Sequence, residues 1–158
     1  MSTANSRPAP SVQVRRIFQA PAAKVFAAWT QRKQLEQWLC RDNPENKVRY
    51  EEYDFRVGGR FRFENHLPDG RVVKQWGTYR EATPPETLVF TWCWQFFKPS
   101  GMKGSEPEES LVTVKFRDLG GSTEVTLTHE LLKTEDARKS VVAGWNGCFD
   151  KLAECLRA

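Results

Sequence analysis

Residues 88–97 read LVFTWCWQFF, and Phe90, Trp92, Trp94 and Phe96 fall two apart. A β-strand sends alternate side chains to one face, so this period puts four large rings on the same side of a sheet. Such a row either fills a core or lines a space. Upstream, RVVKQWGTYREA (71–82) reads as another strand, parted from the aromatic one by the breaker TPPE (83–86). KVRYEEYDFRV (47–57) and RFRFENH (60–66) flank Gly58–Gly59, a hairpin signal, and LPDG (67–70) is a second turn. Downstream, KPSGMKGSEPEE (98–109) is a polar loop, long for a hairpin and therefore a candidate lid. SLVTVKFRD (110–118) and STEVTLTHELL (122–132) then pair around LGG (119–121).

Turns this short join antiparallel neighbours, and the alternation is one-sided. Val112, Val114 and Phe116 oppose Thr113, Lys115 and Arg117; Val125, Leu127 and His129 oppose Thr126, Thr128 and Glu130. One face is wet and the other must be covered. The cover is the last segment. Thr134 is a good N-cap, Glu135 and Asp136 suit the positive end of a helix, and apolar residues recur at three and four from Val141 to Leu156. This predicts one long amphipathic helix over 135–157. Before the sheet, VQVRRIF (12–18) reads as a first strand and 20–40 as helical. The polar TQRKQ inside that segment separates two apolar stripes, which predicts two short helices meeting at an angle. The fold class is therefore α+β: a curved antiparallel sheet of about seven strands gripping a C-terminal helix, with two short helices after the first strand. Residues 1–11 are expected as a flexible tail and 12–158 as a single domain.

The formal net charge is +4, but the basic residues are scattered among acidic ones, which excludes the concentrated basic face of a nucleic-acid binder. No stretch approaches the roughly 18 apolar residues of a membrane span. Cys40, Cys93, Cys148 and Cys155 show neither C-x-x-C nor zinc spacing. Cys148 and Cys155 stand about 10 Å apart along a helix, too far for a disulfide. With no signal-peptide pattern at the N-terminus, a reducing cytoplasm is the expected location.

In this order, VFAAW (25–29), DFRVGGRFRF (54–63), PDG (68–70), GTYREATPPETLVFTW (77–92), VTVKF (112–116), STEVTLTHELL (122–132) and GW (144–145) resemble the START-like, helix-grip (SRPBCC) superfamily. Within it, the chain resembles the bacterial homologues of the activator of heat-shock-protein ATPase. The resemblance runs from about Val12 onward and implies a cavity between sheet and helix. Relatives in the superfamily bind lipids, sterols, polyketides or flavonoids, and some catalyse cyclisation or dehydration. The eukaryotic namesake stimulates a chaperone through contacts that include a separate N-terminal domain, for which this sequence has no expected counterpart.

The candidate ligand-binding residues are Phe61, Phe63, Tyr79, Phe90, Trp92, Trp94, Phe116 and Trp145 as walls, with His129 and Arg56 as polar anchors. Stiff rings on a concave surface tend to leave voids, and ligand pockets are mostly apolar. The alternative is a filled aromatic core. Buried indole N–H groups need acceptors, which favours a pocket with a polar point. His129 shares the covered face with Val125 and Leu127 and reads either as a satisfied structural histidine or as a base or anchor. Asp54 and Arg56 read as an ion pair bracing the hairpin; were that face the inner one, Arg56 would orient a carboxylate or phenolate. His66 shares parity with Arg60, Arg62 and Glu64 and is expected to face solvent. No metal site, no cofactor motif and no nucleophile system is discernible. The expected function is binding of a small apolar or aromatic molecule. A co-chaperone-like interaction module with a chaperone as partner is the alternative, as is a small cyclase or dehydratase using the same cavity. Catalytic residues and oligomeric state, a homodimer included, are left open.

Overall fold

The computed structural model describes residues 11–41 and 43–157. Seven strands form one antiparallel sheet: β1 (Ser11–Phe18), β2 (Lys47–Tyr53), β3 (Arg60–His66), β4 (Val72–Thr83), β5 (Thr87–Phe97), β6 (Glu108–Asp118) and β7 (Thr123–Glu130). Their order is β1-β7-β6-β5-β4-β3-β2. Only the β1 to β2 connection leaves the hairpin path, and it carries α1 (Ala22–Thr30) and α2 (Arg32–Trp38) from one edge of the sheet to the other. Between them Gln31 is extended at φ −91°, ψ 125°, so the polar segment breaks the helix where the apolar stripe changes face. Ser11 already pairs with Glu130, so the first strand begins one residue inside the expected tail. The rest of that tail lies outside the described residues.

The strand expected over 47–57 stops at Tyr53. The chain turns instead through Asp54–Gly59, held by Asp54 N–H to the Arg60 carbonyl and Gly59 N–H to the Arg56 carbonyl. Register shifts between Tyr50 and Glu52 and between Tyr79 and Glu81 bend the sheet, since an extra residue on one strand increases local twist. At Gly77, on β4, any Cβ would collide with the Thr91 carbonyl oxygen and come within 2.6 Å of the Phe61 ring. Glycine there lets the aromatic layer lie flat against the backbone.

α3 (Glu135–Arg157) begins as its sequence requires, with Thr134 Oγ1 accepting from Ala137 N–H at 3.0 Å. Its grip on the sheet is uneven. Its buried side chains are Trp145, Cys148, Phe149, Leu152 and Leu156, all in its C-terminal part. Trp29 and Trp145 stack at 5.9 Å, Phe18 meets Phe149 edge-on at 5.6 Å, and Arg16 pairs with Asp150 at 2.6 Å. Before Trp145 the helix is half-buried or exposed, and there it stands off the sheet. No helix among the described residues is long and apolar enough to cross a membrane.

Candidate functional site: a cavity beneath the first half of the long helix

The inward row of β5 meets two different environments. Phe90 joins Phe61 and Tyr79 in an interlocked cluster with ring centroids 5.6–5.9 Å apart. The void among these rings, Trp29, Tyr50 and Tyr53 is about 20 Å³, room for one water. Two residues further along, the picture changes. Trp92, Trp94 and Phe96 line an open cavity of about 400 Å³, roofed by Ala137, Ser140, Val141, Gly144, Trp145 and Cys148 of α3. A Cβ added at Gly144 would meet nothing within 4 Å. Leu39, Cys40, Asn65, Val73, Gln75, Glu108, Asp136 and His129 complete the wall.

His129 anchors the closed end of the cavity. It is fully buried, and Trp145 Nε1–H donates to its Nδ1 at 3.1 Å. Indole nitrogen can only donate, so Nδ1 must be unprotonated and the ring proton sits on Nε2. That proton points to Ser110 Oγ at 2.6 Å, and Ser110 Oγ–H donates in turn to the Trp92 carbonyl at 2.7 Å. Every polar atom in this chain has a partner, and the direction of each bond is forced by the indole at its head. Burial drives the imidazole pKa down to about 4, so the ring is neutral at physiological pH. With both nitrogens engaged, His129 is poorly placed to take a proton from a ligand; the geometry is that of the structural alternative.

A second polar chain lies in the packed cluster. Tyr79 O–H donates to Tyr53 Oη at 3.2 Å, and Tyr53 O–H donates to the Thr30 carbonyl. Burial pushes the Tyr53 phenol up to about 12 and the Tyr79 phenol further in the same direction, so both stay protonated.

Of the residues singled out from sequence, Trp92, Trp94, His129 and Trp145 meet at the open cavity. Phe61, Tyr79 and Phe90 border only the small void. Phe63 is fully buried and stacks on Tyr50 at 5.0 Å, while Phe116 packs against Phe26 at 5.3 Å; both are core rather than wall. Arg56 forms the ion pair read from the sequence and is not placed as an anchor. Its side chain is 71% exposed, pairs with Asp54 at 2.7 Å and lines neither space, because β2 ends before it and the turn carries it outward. Cys93 is buried on the opposite face, and His66 bonds Glu64 at 2.9 Å. The expected lid does not cover the cavity. Gly104 N–H bonds the Phe96 carbonyl, Gln95 Nε2 the Ser105 carbonyl, and Phe96 N–H the Ser105 hydroxyl, which fold residues 98–107 back along the end of β5.

Sequence reasoning missed Asn65, Gln75 and Glu108. Asn65 continues the inward row of Phe61 and Phe63, and Glu108 that of Ser110 and Val112, so parity could have found both. Cys40 and Cys148 carried no such signal. They meet because Cys40 N–H donates to Cys148 Sγ at 3.2 Å across 108 residues of chain. Among the described residues no group of three or more His, Cys, Asp or Glu is arranged to hold a metal.

A bent antiparallel sheet closed by a C-terminal helix, with a hollow left in the grip, defines a START-like helix-grip domain. The chain belongs to the family described as Activator of Hsp90 ATPase homolog 1-like protein, whose family model matches residues 19–157. No curated protein matches it by sequence. Its fold is similar to that of a protein from Chromobacterium violaceum, at TM-score 0.80 and 20% identity over 96% of this chain and 99% of that one. It is similar also to a protein from Arthrobacter aurescens, at TM-score 0.77 and 24% identity over 94% and 87% of the two chains. A third, from Staphylococcus epidermidis, superposes with TM-score 0.73 at 24% identity over 96% and 92%.

Proposed function

We propose that this protein binds a small, largely apolar molecule in the cavity between β3–β6 and the first half of α3. The observation that carries the reading is the volume of about 400 Å³ beside Trp92, Trp94 and Trp145, within the range of ligand sites. A domain that merely needed a core would close this space, since a void forfeits dispersion contacts along its whole lining. The wall is instead held open by the buried His129 chain, which ties Trp145 to the sheet. Trp94 and Val141 are only half-buried and offer apolar surface to an occupant.

Titration with an uncharged aromatic probe, naphthylmethanol, tests this through tryptophan emission and the thermal midpoint. The expected result is a saturable change in emission and a rise in Tm. Filling the hollow from the helix side with Val141→Trp should abolish both responses while the circular dichroism spectrum is retained. A panel of uncharged aromatic compounds that gives no saturable response with the unmodified protein overturns the reading.

The family match favours a second reading, an interaction module acting on a chaperone. Its signature is stimulation of chaperone ATPase activity by the purified domain, unaffected by Val141→Trp.

A further inference from the structure

The polar points of this cavity share one chemistry. Glu108 ends the inward row of β6, Asp136 lies in the first turn of α3, and both line the mouth. Among the described residues no lysine or arginine lines the space. On the flanking stretches Lys139 pairs with Glu135 and Lys103 with Glu106, and Arg138 donates to the Leu132 carbonyl. Among the described residues neither Glu108 nor Asp136 forms a salt bridge, unlike Glu64, which pairs with both His66 and Lys74. Deeper in, Asn65 is 8% exposed and its Oδ1 has no hydrogen-bond partner. A buried amide oxygen left unsatisfied is costly, and a donor brought by an occupant relieves that cost. At the helix N-terminus, which otherwise favours an anion, the Thr134 hydroxyl takes the free N–H of Ala137, and Asp136 places a carboxylate in the first turn.

We propose that the cavity selects an amphiphile with an aromatic body and a protonated amine head, in preference to a carboxylate of the same shape. This rests on the small-molecule reading above and specifies its ligand class. The apolar body lies against Trp92 and Trp94. The ammonium sits near the mouth, within reach of the two carboxylates and of the indole face of Trp94, which attracts cations. The overall charge of +4 draws anions from a distance, but at about 8 Å screening length the two local carboxylates decide the bound state. Both are solvent-exposed, so each is worth a modest factor and the pair about fivefold.

Isothermal titration of three shape-matched probes tests the proposal: naphthylmethylamine, naphthylmethanol and naphthoate. The amine is expected to bind about fivefold tighter than the alcohol, and the acid weakest. In the double variant Glu108→Gln, Asp136→Asn, the ratio of amine to alcohol affinity should fall to about one. Both positions are exposed, so folding is not at stake. Naphthoate binding as tightly as the amine, or an amine preference that survives in the double variant, overturns this inference and leaves the small-molecule reading standing. If none of the three binds, both fall together.

Discussion

Trp145 Nε1 lies 3.1 Å from His129 Nδ1, and this one bond joins the long helix to β7 at the point where helix and sheet part company. Toward the C-terminus from Trp145 the helix is buried against the sheet; before it, the cavity opens. The bond also dictates the tautomer of His129 and so the direction of the hydrogen bonds that follow through Ser110 to the Trp92 carbonyl.

That chain makes the protein acid-sensitive. The imidazole titrates at about 4 when folded and near 6.5 when unfolded. Below pH 6.5 the unfolded state therefore takes up the proton first, and stability falls with pH. The contribution is fully present above pH 6.5, is lost progressively down to about pH 4, and amounts to about 3 kcal/mol at most. Urea unfolding at pH 7, 5.5 and 4.5 measures it. The slope should be much shallower in His129→Gln; an equal slope in that variant would assign the acid sensitivity to carboxylates instead.

Trp145→Phe keeps the ring and deletes the donor. His129 Nδ1 is then an unpaired buried acceptor, at a cost of about 1–3 kcal/mol. Because Nδ1 is also freed to accept a proton, the folded-state pKa of His129 should rise toward its unfolded value, so the loss of stability between pH 6.5 and 4 should be smaller than in the unmodified protein. Ser110→Ala cuts the same chain on its other side, and its measured cost, combined with Trp145→Phe in a double-mutant cycle, should be less than additive.

Gly144 separates packing from occupancy. Its site in the helix faces open space, so Gly144→Ala should stabilise the protein by about 1 kcal/mol in chemical denaturation. The alanine methyl leaves most of the hollow free, and naphthylmethanol binding should persist. Gly144→Leu projects into the cavity and should weaken binding strongly with no loss of folded stability.

Gly77 has the opposite environment. An alanine there must displace the Thr91 carbonyl or the Phe61 ring, and a loss of about 1–3 kcal/mol is expected from thermal or urea unfolding. An unchanged midpoint would mean that β4 and β5 part more readily than their register implies.

The loop over 98–107 should be inert toward ligand. Ser105→Ala removes the side-chain bond to Phe96 N–H and loosens the loop, with naphthylmethanol affinity unaltered. A change in association rate on loosening would restore the role of a lid.

Much of this architecture was legible in local pattern. The alternation in 110–130 placed Val112, Val114, Val125, Leu127 and His129 on the covered face, where all are fully buried. Thr134 announced the start of α3, and the polar segment around Gln31 announced the break between α1 and α2. The site was legible only in part. Parity could show that Phe90, Trp92, Trp94 and Phe96 share a face, but not that the face is packed at Phe90 and hollow at Trp94. The pairing of Arg56 with Asp54 was legible but not the way the pair faces, because the end of β2 is set by a turn, and past a turn alternation no longer reports direction.

The sequence alone determined the order of elements, their inward residues and the kind of fold, because periods of two and of three to four are properties of neighbouring residues along one chain. Only the tertiary structure decided where the space lies and what ties it open. Those depend on how far α3 follows a sheet bent by its bulges, and on pairs such as His129 with Trp145 and Cys40 with Cys148. Volume is what remains after all elements have packed, so no single stretch of sequence carries it.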